Sequence, residues 1–175
     1  ARLQELLKQT QQHLLSLGIT CVHDFDGLEC LEALKALEAN GELYLRVSKN
    51  LPGVHLKEIA QCGYKSGVGS KHLRFGALKF FADGALGPQS AAMLNPYERS
   101  TSRGLLQMDA DAVFEQGLRA ADLGWPLAVH AIGDAAVRAV LDGFERLRRY
   151  EYMHQLPHLS HRIEHAQLIA PEDLP

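Results

Sequence analysis

Hydrophobic residues change their spacing several times along this chain. Leucines recur at helical spacing through residues 2–17, and Gly18, a residue that readily ends a helix, follows them. Residues 19–25 are then rich in β-branched residues and stop shortly before Gly27, which is typical of a strand. The same alternation continues to the last residues. It predicts strands at 19–25, 43–48, 75–82, 126–131 and 161–166, and helices at 2–17, 28–37, 55–62, 109–123, 135–149 and from residue 171.

This alternation of about five short strands with helices predicts an α/β fold. Helical connections favour a parallel sheet, because a right-handed crossover brings each strand beside an earlier one. Neither an internal repeat nor a low-complexity linker interrupts the pattern. We therefore expect residues 1–175 to form one domain or part of one, with the strands in a single sheet and the helices packed against it.

Three ionisable residues stand near the carboxyl ends of predicted strands. Lys79 lies in an apolar segment, where an ammonium group is costly unless it is paired or neutral. His130 and His165 end two later strands. Each has a simpler explanation by itself, as a hydrogen-bonded core histidine or a lysine that reaches the rim of the sheet. Together they predict a site, since parallel barrels carry their chemistry at this edge and imidazole is a common zinc ligand.

Five segments carry a more specific signal. They are Gly18–Asp24, Leu78–Gly84, Asn95–Tyr97, His130–Asp134 and His161–Gln167. In this order they resemble the amidohydrolase superfamily, and within it amidohydrolase family 3, which includes N-substituted formamide deformylases. The resemblance covers nearly the whole chain. It implies a partial TIM-type (β/α)8 barrel, with the five predicted strands as about strands 2 to 6 and the domain truncated at both ends.

The resemblance also implies roles for the three strand-end residues as catalytic and metal-binding groups. Lys79 looks like the fourth-strand lysine, which in many such enzymes is N-carboxylated and bridges two metal ions. His130 and His165 look like the histidines of the fifth and sixth strands. The family pattern adds a His-x-His on the first strand and an Asp on the eighth. This chain contains no His-x-His, so we expect both elements in flanking sequence.

The reaction that the resemblance implies is metal-dependent hydrolysis of non-peptide C–N bonds in small amide-like or formamide-like substrates. One or two divalent ions, with zinc the first expectation, would polarise the carbonyl and activate water. The chain alone lacks part of the implied ligand set, so we expect it to be inactive by itself. We also expect it to self-associate, because unpaired strand edges recruit other strands.

Composition excludes some partners and suggests a compartment. A formal charge of −3 and a pI near 6.3 give no reason to expect nucleic acid or an anionic membrane surface. No run of apolar residues is long enough for a transmembrane helix. The three cysteines show no CxxC spacing, which favours buried, reduced thiols in a cytoplasmic protein.

Two other classes of protein remain open from the residues. One is a complete, non-catalytic, doubly wound α/β binding module, although no Gly-rich turn follows the first predicted strand. The other is a catalytically silent relative with a regulatory role.

Residues 67–71 only weakly resemble a phosphate loop, because they lack its Gly-Lys pair. Residues 85–103 are long enough to cover a substrate, and His154, His158 and His161 are expected to face solvent or the bottom of the barrel.

Overall fold

The structure, a computed structural model, describes residues 2–174 as strands and helices that alternate along the chain. The strands are β1 (Cys21–Asp24), β2 (Arg46–Pro52), β3 (Leu73–Phe81), β4 (Leu127–Ala131) and β5 (Arg162–His165). The α-helices are α1 (Arg2–Ser16), α2 (Leu28–Ala39), α3 (Leu56–Gln61), α4 (Ala110–Ala121) and α5 (Asp134–Met153). The helix predicted from residue 171 is a single 3-10 turn, Pro171–Asp173. The chain folds as two compact units, 1–78 and 79–175.

The strands form one five-stranded sheet in the order β1-β2-β3-β4-β5. Strand β1 pairs with β2, and β4 pairs with β5, both in parallel. A doubly wound module would show a reversal of strand order, whereas this order is consecutive, as in a barrel. The predicted partial TIM-type α/β fold is therefore confirmed. No helix within residues 2–174 combines the length and the apolar composition that a membrane crossing requires.

In the first unit, the second strand lies further along the chain than predicted. We expected residues 43–48, and the strand is Arg46–Pro52. Leu43 and Leu45 are buried in the core ahead of the strand, so their hydrophobic pattern marks the core and not the strand. The strand itself contains Lys49 and Asn50, both fully buried. A strand with polar residues at buried positions lacks the hydrophobic pattern from which strands are predicted.

A buried ion pair explains how Lys49 is accommodated. The Lys49 ammonium donates to the carboxylate of Asp24, the residue directly opposite in the β1–β2 register. Asn50 Oδ1 accepts from Ala77 N at 2.9 Å, and Asn50 Nδ2 donates to Asp24 O at 3.2 Å. Polar side chains therefore connect three neighbouring strands of this unit. A buried charge with such partners is tolerated, and the same charge without them is costly.

In the second unit, helices α4 and α5 pack closely at two glycines. A Cβ on Gly143 would lie 2.7 Å from Val113 Cβ, and one on Gly117 would lie 2.5 Å from Leu147 Cδ2. Asp109 caps the start of helix α4, and its carboxylate accepts from Ala112 N at 2.8 Å. Helix α5 also contacts β4.

The expected positions of the cysteines and of one histidine need correction. All three thiols are free, but only Cys30 is buried, and Cys21 and Cys62 are exposed. His154 and His158 are exposed as predicted, whereas the side chain of His161 is only 1% exposed. His161 is buried because it has specific partners on both sides of its ring.

Those partners define the state of the His161 ring. Leu127 N donates to His161 Nδ1 at 2.9 Å, so this nitrogen carries no proton. The Nε2 proton is directed at Glu151 Oε1, 2.7 Å away. Arg148 also donates to Glu151, at 2.6 Å. A neutral His161 thus joins the start of β4 to the last turns of α5.

Acid is expected to destabilise the chain through His161. Its pKa lies below the ordinary 6.5, because burial outweighs the attraction of Glu151. The unfolded chain therefore takes up this proton first, and the free energy of unfolding falls as the pH decreases from about 6.5 toward the folded-state pKa. One proton contributes at most about 1.4 kcal/mol per pH unit. Urea unfolding across this pH range should show a shallower slope for His161→Gln than for the wild type. The exposed His13→Gln serves as the control, and identical slopes for all three proteins would contradict the role of His161.

Candidate metal centre

The three residues predicted for the site all lie in the second unit, near the carboxyl ends of adjacent strands. Lys79 precedes the last two residues of β3, His130 is the penultimate residue of β4, and His165 is the last residue of β5. In the parallel β4–β5 register, Ala131 lies opposite His165. Ala82 N donates to His130 O at 2.8 Å just beyond β3. The strand ends therefore bring these side chains to one edge of the sheet.

The aromatic ring of Phe81 lies among the three. Lys79 Nζ is 4.5 Å from the centroid of the Phe81 ring. The rings of Phe81 and His130 are 5.3 Å apart, and those of His130 and His165 meet edge to face at 4.7 Å. Phe81 is 53% exposed, so it also presents an apolar surface toward solvent. The structure thus gathers Lys79, His130 and His165 into one cluster, with Phe81 as a member that the sequence pattern did not single out.

One ring nitrogen of His130, Nε2, forms a hydrogen bond within the protein. His130 Nε2 lies 2.8 Å from Gly84 O. A carbonyl oxygen only accepts hydrogen bonds, so Nε2 carries the proton and the neutral ring keeps its lone pair on Nδ1. A metal-binding histidine commonly donates its other ring N–H to a carbonyl or carboxylate, which holds the ring in place. The hydrogen bond of His130 has this form.

The electrostatics of the cluster favour neutral nitrogen donors. Burial lowers the pKa of Lys79 to about 8, partly opposed by Glu164 and assisted by Arg162. The pKa of His165 is also lowered, by partial burial and by the neighbouring His130 and Lys79. Near neutral pH, His165 therefore has a lone pair available, and part of Lys79 is the free amine.

The backbone at the end of β5 has an unusual conformation. His165 has φ of 77° and Ala166 has φ of 45°, in the left-handed region that non-glycine residues seldom occupy. Ala166 N donates to Ala131 O at 3.1 Å and holds the turn in place. Such strain is frequent at functional sites, where the surrounding structure imposes it. The residue type at position 166 gave no signal for it, because alanine seldom adopts this conformation.

A buried carboxylate, that of Asp83, supports the cluster from behind. Asp83 is 2% exposed and accepts hydrogen bonds from three backbone groups. They are Ala92 N at 2.9 Å, Ile132 N at 3.0 Å and Gly133 N at 2.8 Å. Its Oδ1 is 3.4 Å from His130 Nε2. Asp83 was not among the predicted site residues, although a carboxylate directly after an apolar strand was the signal available.

Another group in the first unit has metal-ligand residue types but the wrong electrostatics. Within residues 2–174, Asp24, Asp26 and Cys30 are the His/Cys/Asp/Glu group whose ligand atoms lie close enough to share an ion. The Lys49 ammonium already pairs with Asp24, which opposes a second cation. Burial and Asp24 raise the pKa of Cys30 to about 11, so its thiol stays protonated. This group is better explained as structural.

Comparison with known proteins identifies the family of this chain. Residues 1–175 match the family model described as the amidohydrolase family. The chain belongs to the amidohydrolase family.

The curated relatives are longer than this chain. It is 28% identical over 167 residues to N-substituted formamide deformylase of Arthrobacter pascens, covering 91% of this chain and 31% of the relative. It is 35% identical over 116 residues to Protein LONG AFTER FAR-RED 3 of Arabidopsis thaliana, covering 61% and 18%. The chain therefore spans less than a third of these curated relatives.

Solved structures show the same relation. An uncharacterized metal-dependent hydrolase from Pyrococcus furiosus matches with a TM-score of 0.85 and 35% identity. The match covers 97% of this chain and 34% of that one. Almost every described element of this amidohydrolase-family chain thus has a counterpart in a structure about three times as long.

Proposed function

We propose that the protein containing this chain is a metal-dependent hydrolase of non-peptide C–N bonds. The observation that carries the proposal is the edge-to-face contact of His130 and His165 at adjacent strand ends, beside the buried Lys79. The carboxyl edge of a parallel barrel is where such enzymes place their reacting groups. A family model that matches the whole chain supports the same class of reaction.

The donor set fits a divalent cation. His130 keeps a lone pair on Nδ1, because its Nε2 faces the Gly84 carbonyl oxygen. The pKa of His165 is lowered, which favours the neutral ring that binds metal. Two imidazoles suit zinc, which is our first candidate among divalent ions. A bound ion supplies Lewis-acid polarisation of the scissile carbonyl and activation of water.

Lys79 contributes in a form other than a plain ammonium, which would repel a cation. Burial lowers its pKa to about 8, so part of it is the neutral amine near neutral pH. The amine nitrogen can attack the carbon of CO2, forming an N–C bond and releasing one proton, and the product is a carbamate. Its two oxygens would turn Lys79 into an anionic donor. The 8% exposure of Lys79 limits access of water to this group.

We further propose a small amide-like or formamide-like molecule as the substrate. The half-exposed ring of Phe81 offers an apolar surface next to both histidines. The segment between β3 and α4 is anchored at Asp83, through Ala92 N, and is long enough to cover a bound molecule. One relative is named for the deformylation of N-substituted formamides, a reaction that breaks this type of bond.

The proposed function is tested on the full-length protein. Purified protein should contain zinc or another divalent ion, and should release amine from simple N-substituted amides or formamides. A chelator should remove metal and activity together, and added Zn²⁺ should restore both. Undiminished hydrolysis by protein shown to be metal-free would contradict the proposal.

The chain of 175 residues by itself is expected to self-associate and to be inactive. Strands β1 and β5 are the edges of the described sheet, and exposed edges recruit other strands. Light scattering should give a mass above the 19.3 kDa of one chain. A strictly monomeric chain that binds stoichiometric metal and hydrolyses amides would contradict this expectation.

We also propose a reducing compartment, the cytoplasm, because Cys21, Cys30 and Cys62 are all free thiols.

A further inference from the structure

The carboxylate of Asp83 connects the loop after β3 to the strand end that carries His130. Its side chain is completely buried. One hydrogen-bond donor, Ala92 N, belongs to the loop, and the other two, Ile132 N and Gly133 N, belong to the segment between β4 and α5. Gly133 permits this close approach, because a Cβ there would lie 2.0 Å from Ala92 O. Asp83 is thus held in one place by donors from two segments.

The same carboxylate lies beside the His130 ring. Asp83 Oδ1 is 3.4 Å from Nε2, and Gly84 O is 2.8 Å from the same nitrogen. Both neighbours of Nε2 are therefore acceptor oxygens from consecutive residues. A negative charge and a carbonyl dipole at this nitrogen both stabilise its proton. They disfavour the alternative tautomer, in which Nε2 would turn a lone pair toward two oxygens.

We propose that Asp83 is a positioning residue, which keeps the proton of His130 on Nε2 and so leaves Nδ1 to bind a divalent cation. The inference rests on the proposed function for the presence of that cation. The tautomer itself is a property of this chain. Carboxylates placed behind metal-binding histidines orient the ring and increase its basicity, and their loss typically weakens metal binding by about 10- to 100-fold.

A purely structural role for Asp83 makes a different prediction, and Asp134 provides the comparison. Asp134 Oδ1 accepts from Leu94 N at 2.8 Å and from Ala135 N at 2.9 Å. It therefore ties the same loop to the start of α5. Among residues 2–174, no hydrogen bond joins Asp134 to the His130 ring. If Asp83 served only to anchor the loop, substitution of either aspartate would affect His130 in the same way.

The test reads the His130 tautomer directly by long-range ¹H–¹⁵N NMR on the chain labelled with ¹⁵N-histidine. Spectra are recorded at about pH 8, above the ordinary imidazole pKa of about 6.5, and the His130 signals are identified by their loss in His130→Gln. The wild type should show the proton on Nε2. Asp83→Asn should shift the ring toward the Nδ1–H form, and in the full-length protein it should weaken Zn²⁺ binding by at least about 10-fold. Asp134→Asn should leave the tautomer as in the wild type.

A wild-type ring with its proton on Nδ1 would overturn the inference, and so would equal effects of Asp83→Asn and Asp134→Asn on the tautomer. Should Asp83→Asn fail to fold, Asp83→Ser takes its place in the same comparison with Asp134→Asn. Neither readout requires C–N hydrolysis. A full-length protein that hydrolysed no amide would therefore refute the proposed function and leave the assignment of Asp83 standing.

Discussion

Replacing His130 or His165 with alanine in the full-length protein is expected to lower bound metal and C–N hydrolysis together. Each substitution removes one imidazole from a pair whose rings are in contact, so a cation would lose one of its proposed donors. We expect kcat/KM to fall by more than about 100-fold, or about 2.7 kcal/mol of transition-state stabilisation. Metal content by elemental analysis and steady-state kinetics on the same preparations would measure both effects.

The exposed His158→Ala is the matched control, because it removes an imidazole from the same unit without touching the cluster. It should keep the metal content and the activity of the wild type. Thermal unfolding of all variants separates loss of metal from loss of fold. Full activity in His130→Ala or His165→Ala would remove that residue from the proposed site.

The second large effect concerns stability and the buried pair of Asp24 and Lys49. Asp24→Ala leaves the Lys49 ammonium, which has no solvent exposure, without its carboxylate. Breaking a buried pair in this way typically costs about 3 to 5 kcal/mol. Urea unfolding of the chain should show a loss of this order in the free energy of unfolding.

The double variant Asp24→Ala/Lys49→Met separates the cost of an unpaired charge from the value of the pair. It removes both charges and keeps an apolar side chain of similar length at position 49, so most of the lost stability should return. Asp26→Ala is the control, since Lys49 contacts the backbone oxygen of Asp26 and not its carboxylate. A double variant no more stable than Asp24→Ala would show that the pair is not what makes Asp24 important.

The strand-end cluster was predictable because it depends on local features of the sequence. Lys79 sits in a continuous apolar strand, and the predicted bounds of 75–82 differ little from the observed Leu73–Phe81. His130 lies in the apolar strand β4, and His165 ends the short β5, Arg162–His165, which lies within the predicted 161–166. Parallel strands present their carboxyl ends at one edge, so correct strand positions were sufficient to bring these residues together.

The features that escaped prediction depend on partners far away in the sequence. The predicted position of β2 was wrong because the strand contains Lys49. The burial of Lys49 depends on its ion pair with Asp24, 25 residues earlier. The Asp83 carboxylate is held in place by hydrogen bonds from Ile132 N and Gly133 N, which lie 49 and 50 residues later in the chain. Hydrophobic periodicity contains no information about such pairs, since it describes which residues avoid water and not which polar groups meet.

The consecutive order of the strands has a consequence for how the chain folds during synthesis. Each strand from β2 onward pairs with the strand that left the ribosome just before it. No strand has to wait for a distant partner, so contacts form over short sequence separations and the loop-closure entropy of each step stays small. The longest interval lies between β3, which ends at Phe81, and β4, which begins at Leu127. Synthesis of this interval is the stage at which β3 is exposed as an edge, and it is where a nascent chain would most need a chaperone.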